Sequence, residues 1–262
     1  MDRLFDLVFV RPPAATYVNC VSTNPDRDNI DIVLAKEQHR QYVSTLKETG
    51  IQVIELQPVD ALPDSVFMQD PALLGSRNSI IGRFGEEKRR GEEKMLVNDL
   101  SNHKDRVGEV RYVDPPGTLE GGDIVVTDRG IFTGESSRTN AQGIQQLAMH
   151  RKETSVKAVR TDLFHLLCGC SYLKNGAMII APDLVAADCF PGFRFITIPK
   201  EEAYACDALY VGDGRVVIPA GFEGVAKKLR SARYRPLEVE VSEFYKGDGG
   251  VTCLSSPVYN LF

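Results

Sequence analysis

Asp123-Ile124-Val125-Val126-Thr127-Asp128-Arg129-Gly130-Ile131-Phe132 is an apolar run, a tight polar turn and a second apolar run. That is the pattern of a β-hairpin. The phrase recurs at 72–81, at 171–180 around Asn175-Gly176, and at 208–218 around Asp213-Gly214. Copies spaced roughly 40 to 50 residues apart are the mark of propellers and other arrays. Asp70, Glu120 and His165 stand a few residues upstream of the first three hairpins. Cys253 falls in a fifth apolar segment, 251–254. Repeats arranged around an axis bring such positions together. A thiol, an imidazole and two carboxylates then share one pocket, which is the composition of a nucleophilic thiol site.

The rest of the chain fits the same unit. Residues 5–10 read as a strand that Pro12-Pro13 ends, because proline cannot continue a ladder. Residues 14–30 form a long polar loop of the kind that serves as a lid. A helix is predicted over 30–49, stopped by Gly50, then a strand over 51–56. Further helices are predicted at 86–103, 140–152 and 222–231, and strands at 110–113, 156–160 and 238–241. Each unit is a hairpin, a helix and a further strand. Five units close if the N-terminal strand joins the C-terminal one, giving one α/β domain over 1–262. An open doubly wound sheet and two separate α/β domains are the alternatives. No glycine-rich fingerprint opens a helix, since Gly121-Gly122 precedes a strand, and this speaks against the doubly wound sheet.

Composition narrows the function classes. A net charge of −5 disfavours a nucleic-acid partner. No run of 18 apolar residues predicts a membrane span, and the start Met1-Asp2-Arg3-Leu4-Phe5 shows no secretory pattern. Six cysteines in 262 residues are too sparse for a disulfide scaffold, so reduced thiols in a cytoplasm are expected. Cys168-Gly169-Cys170 has no partner pair at zinc spacing and reads as buried thiols rather than a metal site.

Taken one by one, the candidate residues also have plainer readings. Cys253 follows Gly247-Asp248-Gly249-Gly250, glycines that let backbone approach a ligand, yet locally it fits a buried strand cysteine equally well. His165 sits in an apolar stretch, 162–167, read as a strand, where a lone histidine is ordinarily a satisfied core residue. Its repeat position favours an acid–base role. Glu120 beside Gly121-Gly122 either orients His165, holds a cation or shapes a turn. Asp70 before Pro71 is the second inward carboxylate or an Asp-Pro turn. Together the four suit a planar cation with an electrophilic carbon, a guanidinium or amidinium. Acids grip its edges while the thiolate attacks the carbon. Arg83 and Arg138 then serve the other end of the substrate, since arginine binds carboxylate in a bidentate fork. Outside this constellation both are ordinary surface arginines.

The stretches PDSVFMQDPALL (63–74), GRFGEEKRRGE (82–92), LEGGDIVVTDRGIFTGESSRTN (119–140), FHLLCGCS (164–171) and DGGVTCLSSPV (248–258) resemble the dimethylarginine dimethylaminohydrolases. These belong to the guanidine-modifying superfamily of five-bladed pseudosymmetric α/β propellers. The motifs stand in family order and spacing across nearly the whole chain. The resemblance implies that Cys253 attacks the guanidinium carbon, with His165 as acid–base and Glu120 as supporting carboxylate. It implies that Asp70 and Asp64 contact the cation, that Arg83 and Arg138 take the α-carboxylate side, and that backbone near Gly247 meets the amino-acid end. Residues 14–25 become the lid. The chain departs from the pattern at Gln69, where the family commonly has Glu, and this places Gln69 as a reader of the Nω substituent. At Leu167, arginine and agmatine deiminases typically carry Asp, so deimination of free arginine is disfavoured.

The expected activity is therefore hydrolysis of a C–N bond in Nω-methylated arginine, dimethylarginine giving citrulline and dimethylamine through a covalent thiol–amidino intermediate. Hydrolysis of arginine or another guanidine is the alternative within the superfamily. A silent binding module and a thiol redox or metal sensor using Cys168, Cys170 and Cys253 are the alternatives outside it. A small-molecule guanidine is the expected partner. No cofactor, metal, nucleic acid or membrane is expected, and a homo-oligomer is left open.

Overall fold

In a computed structural model describing residues 3–261, all four hairpins form where their turn chemistry puts them. Residues 1, 2 and 262 lie outside the described residues, and with them the ends of the 1–262 range and the first two residues of the start discussed above. The chain opens with β1 (Phe5–Val10), α1 (Ile32–Glu48) and β2 (Gln52–Glu55). The first hairpin follows as β3 (Ala72–Gly75) and β4 (Asn78–Ile81), then α2 (Glu92–Leu100), α3 (Lys104–Val107) and β5 (Glu109–Tyr112). The second unit is β6 (Ile124–Thr127), β7 (Gly130–Glu135), α4 (Ala141–His150) and β8 (Val156–Arg160). The third is β9 (Cys170–Tyr172), β10 (Ala177–Ile180) and β11 (Arg194–Thr197). The fourth is β12 (Leu209–Gly212), β13 (Arg215–Pro219), α5 (Glu223–Ser231) and β14 (Arg235–Val239). A short α6 (Ser242–Tyr245) and β15 (Ser255–Tyr259) end the chain.

In four of the units an antiparallel hairpin carries a third, parallel strand. The fifth unit joins the two ends of the chain. β15 pairs antiparallel with β1, Val10 opposite Ser255, and β1 pairs parallel with β2 across the α1 crossover. β15 also runs parallel beside β3, joining the fifth and first units into one six-stranded sheet. The fold is thus a five-bladed α/β propeller. Its central core draws Val8, Leu73, Ile131, Met178 and Val217 from the five blades in turn.

Local chemistry explains the elements. The Asp31 side chain accepts from the N–H groups of Val33 and Leu34, capping α1. That helix buries Ala35, Gln38, His39, Tyr42, Val43 and Leu46, one stripe at helical spacing. At Asp213-Gly214 both turn residues have positive φ (54° and 73°), the left-handed geometry that a two-residue hairpin needs.

Four expectations are corrected. The helix predicted over 86–103 is broken: a 3-10 turn, Glu87–Arg89, precedes Gly91, whose φ of 118° only glycine adopts readily, and α2 starts after it. The third blade has no α-helix, only a 3-10 turn at Ala187–Cys189, because Pro182 and Pro191 bracket too short a stretch. Its third strand, β11, is the further strand that the repeat unit calls for. The last crossover strand is Arg235–Val239 rather than 238–241, and the C-terminal strand begins at Ser255, after Cys253. No helix among the described residues is long and apolar enough to cross a membrane.

Candidate active site

Asp70 ends a turn before β3, Glu120 precedes the 3-10 turn leading into β6, and Cys253 precedes β15. His165 lies in extended backbone just before a 3-10 turn, Leu166–Cys168, rather than within a strand. His165 Nε2 bonds Glu120 Oε2 at 2.9 Å, and its Nδ1 lies 3.7 Å from Asp70 Oδ1. The other oxygen of Glu120 accepts from the Gly85 N–H at 2.9 Å. Asp123 holds the histidine segment, taking the Leu166 N–H at 3.0 Å and the Ser136 hydroxyl at 2.7 Å. The glycine pair is a matter of space. A Cβ at Gly122 would stand 2.4 Å from His165 Nδ1, and one at Gly121 would stand 1.9 Å from the Gln69 carbonyl oxygen.

Asp70, His165 and Cys253 face a narrow, nearly closed cavity, also lined by Val21, Asp64, Phe67, Arg89, Arg138, Phe164 and residues 247–249. Its roof is the loop after the 3-10 turn Ala15–Asn19. Both oxygens of Asp64 accept the Val21 N–H at 3.1 Å. Ser22 donates to the Lys246 carbonyl at 2.9 Å, and the Thr23 N–H donates to Asp248 at 2.6 Å. A Cβ at Gly247 would fall 2.4 Å from the Tyr17 hydroxyl, so that backbone meets the lid directly. A roomier, open cleft lined by Arg77, Arg111 and Arg151 carries no thiol, and the chemistry points away from it.

Charge sets the protonation states. Burial opposes a charged His165, but Asp70 and the bond from Glu120 outweigh it and raise the imidazole to about 9. Burial likewise opposes ionised Asp70, yet the charges of His165 and Arg89 hold it below the ordinary carboxylate value. Burial, then the negative charge of Asp207, pushes the Cys253 thiol well above its usual value. At neutral pH the site is an imidazolium facing the Asp70 carboxylate, beside a protonated thiol. Donor atoms of Asp70, Glu120 and His165 also lie within 4.8 Å of one another, close enough for a metal. The direct His165–Glu120 bond instead uses two of those donors on each other.

Two buried atoms of residues that line the cavity lack a hydrogen-bond partner among the described residues: the acceptor Asp70 Oδ1 and the donor Arg138 Nη1. Arg138 Cζ lies over the Phe164 ring, 4.1 Å from its centroid, and Nη1 is 3.8 Å from Glu120 and 3.9 Å from Glu86. Such buried, unpaired groups are costly unless a ligand completes them.

Not every expected residue reaches the cavity. Arg83 bridges to Leu119 and donates to the Gly117 carbonyl at 3.3 Å, and it does not line the cavity. Arg89 stands there instead, bonded to Asp70 at 2.6 Å and to Glu92 at 2.8 and 2.9 Å. The break at Gly91 is what turns Arg89 inward, so the charged run hid it. Gln69 points away too, donating to the Gly121 carbonyl at 3.4 Å and lining a second hollow with Thr252 and Tyr259. Asp207 was overlooked although it precedes the fourth hairpin as Asp70, Glu120 and His165 precede theirs. The repeat itself was the signal.

Comparisons with known proteins agree with this geometry. Residues 14–260 match the family described as "N,N dimethylarginine dimethylhydrolase, eukaryotic". An N(G),N(G)-dimethylarginine dimethylaminohydrolase of Pseudomonas aeruginosa is 36% identical, over 96% of this chain and 99% of that one. An uncharacterised protein of Aeropyrum pernix is 41% identical, over 99% and 98%. The solved Pseudomonas aeruginosa enzyme, a cysteine-to-serine variant complexed with citrulline, superposes with a TM-score of 0.91 at 34% identity, covering 97% of this chain and all of that one.

Proposed function

This chain belongs to the dimethylarginine dimethylaminohydrolase family, and we propose that it cleaves dimethylarginine to citrulline and dimethylamine through a covalent intermediate on Cys253. The observation that carries the reading is a pair of buried atoms without hydrogen-bond partners on two residues that line the cavity. Asp70 Oδ1 awaits a donor and Arg138 Nη1 awaits an acceptor. A substituted arginine supplies both, a guanidinium at one end and an α-carboxylate at the other.

In this reading Asp70 grips a guanidinium edge and the cation lies beside the thiol. Its positive charge offsets the negative field that keeps Cys253 protonated. The thiol thereby loses its proton to solvent, and the thiolate Sγ attacks the guanidinium carbon. His165, held by Glu120, gives its proton to the departing dimethylamine. With the amine gone, the neutral imidazole takes a proton from water, which adds to the carbon and expels the thiolate as citrulline forms. Arg138 receives the α-carboxylate. Arg89 holds Asp70 in place rather than meeting the substrate first, since its bonds to Asp70 and Glu92 already engage it. Asp64 and backbone at Gly247 close the amino-acid end under the lid. One residue from each blade reaches the hub, which supports reading residues 1–262 as one catalytic domain. Six free cysteines fit a reducing, cytoplasmic setting.

The test supplies dimethylarginine, arginine and agmatine separately, scoring citrulline apart from amine or ammonia. Dimethylamine and citrulline in equal amounts are expected from dimethylarginine. Cys253→Ser is expected to fall below about a hundredth of the parent rate, because a hydroxyl is a far weaker nucleophile than a thiolate near neutral pH. Ammonia from arginine as the dominant product overturns the substrate, and a fully active serine variant overturns the mechanism.

A further inference from the structure

We propose that Asp207 is the positioning residue of the nucleophile: one carboxylate oxygen fixes the Cys253 loop, and the other faces the thiol as the negative charge in contact with it. This rests on Cys253 being the nucleophile.

Asp207 occupies in the fourth blade the place that Asp70, Glu120, His165 and Cys253 hold in the other four. It is buried at the end of the 3-10 helix Lys200–Cys206, just ahead of β12. That short helix grips the Cys253 loop at three successive points. The Tyr204 hydroxyl donates to the Gly249 carbonyl at 2.8 Å. The Asp207 carboxylate lies against Gly250, where a Cβ would come within 2.5 Å of its Cγ. Asp207 Oδ1 takes the Thr252 N–H at 2.7 Å. These contacts leave Oδ2 at 3.8 Å from Cys253 Sγ, within reach of a thiol hydrogen bond. His165 Nε2 is engaged by Glu120, so Asp207 is the carboxylate that contacts the thiol.

The surrounding groups act in known directions. Asp70 and Cys168 push the thiol the same way as Asp207. Tyr42 from α1 and Tyr204 face the same pair as neutral phenols. His165, Arg89 and Arg138 bring positive charge on the cavity side. Burial lifts Asp207 itself only to about 6, so it is ionised at neutral pH.

Asp207→Asn keeps the oxygen that holds Thr252 and the shape that meets Gly250, but drops the charge. The experiment follows iodoacetamide alkylation of Cys253 against pH, read by peptide mass mapping so that the other five thiols do not intrude. The midpoint is expected to fall by about one unit or more, roughly tenfold more thiolate at a given pH on the acid limb. Asp207→Ser removes the same charge and serves if the asparagine variant does not fold. A midpoint that is unchanged or raised in a folded variant overturns the proposal. The readout needs no turnover: a parent inert toward dimethylarginine would defeat the functional reading while leaving this titration interpretable.

Discussion

Replacing Gly122 by alanine adds one methyl group at the most crowded point behind the imidazole. Its Cβ would stand 2.4 Å from His165 Nδ1, 2.6 Å from Cγ and 2.8 Å from Asp70 Oδ1. Ordinary contact begins at 3.4 Å, so something must move by about 1 Å. Gly122 does not have a left-handed φ, and alanine is therefore not strained in itself. The backbone has little room to retreat, because Gly121 is packed equally tightly on the Gln69 carbonyl. The ring must yield, at the expense of its 2.9 Å bond to Glu120 and its edge contact with Phe164 at 4.7 Å.

A 1 Å misplacement of a reacting group costs on the order of 10²-fold in rate. The overpacking should cost about 1–3 kcal/mol of stability. Steady-state kinetics on dimethylarginine should thus show kcat down roughly a hundredfold, with the melting temperature lower by only a few degrees. Alkylation of Cys253 should stay near the parent rate, since the thiol is held by Asp207 and not by the ring. If kcat stays within about threefold of the parent, the placement of His165 does not limit turnover, and its acid–base role would have to be abandoned.

Other outcomes follow from the same geometry. Arg138→Ala should weaken kcat/KM for substrates bearing an α-carboxylate by about 1.5–3 kcal/mol and spare agmatine, whereas Arg83→Ala should change neither by more than about threefold; equal losses for both substrates would make Arg138 structural. Gln69→Glu should lower the melting temperature, because it buries a carboxylate beside the Gly121 carbonyl, yet leave the dimethylarginine-to-arginine preference within about twofold; a larger change in that ratio would restore Gln69 as a reader of the substituent. His165 is raised from 6.5 to about 9, so its protonation stabilises the fold fully below about 6.5 and ceases to as pH climbs through about 9. The excess stability of the parent over His165→Gln, followed by urea melts, should shrink across that window, and a gap that widened with pH would contradict the imidazolium.

What was legible in the sequence is what the repeat controls. Hairpin turns announce themselves through residues that accept positive φ, and the positions ahead of them inherit a common direction toward the axis. Hence the convergence of Asp70, Glu120, His165 and Cys253 was legible in the sequence. By the same rule Asp207 was readable too. The crossover elements were less so. Residues 86–103 carry so many charges that a solvated helix is the natural reading, and only the φ of Gly91 reveals that the chain turns back and buries Arg89 against Asp70 and Glu92.

The same distinction separates the two arginines and explains Gln69. Arg83 sits in extended backbone bridged to Leu119, where neighbouring side chains alternate in direction, so sequence proximity to the hub says nothing about which side of the sheet it faces. Gln69 and Asp70 are adjacent, and their side chains diverge: one supports the cavity that holds Cys253, the other lines the hollow shared with Thr252 and Tyr259. Cys253 and Thr252 divide in the same way. Each hub segment thus presents one residue to chemistry and its neighbour to packing, so a departure from a family pattern one residue from the hub bears first on the core beneath the site. The apolar side chains that line the cavity itself are Phe67, Phe164 and Val21 of the lid, and substitutions that change their bulk, rather than changes at Gln69, are expected to alter the preference between dimethylarginine and arginine.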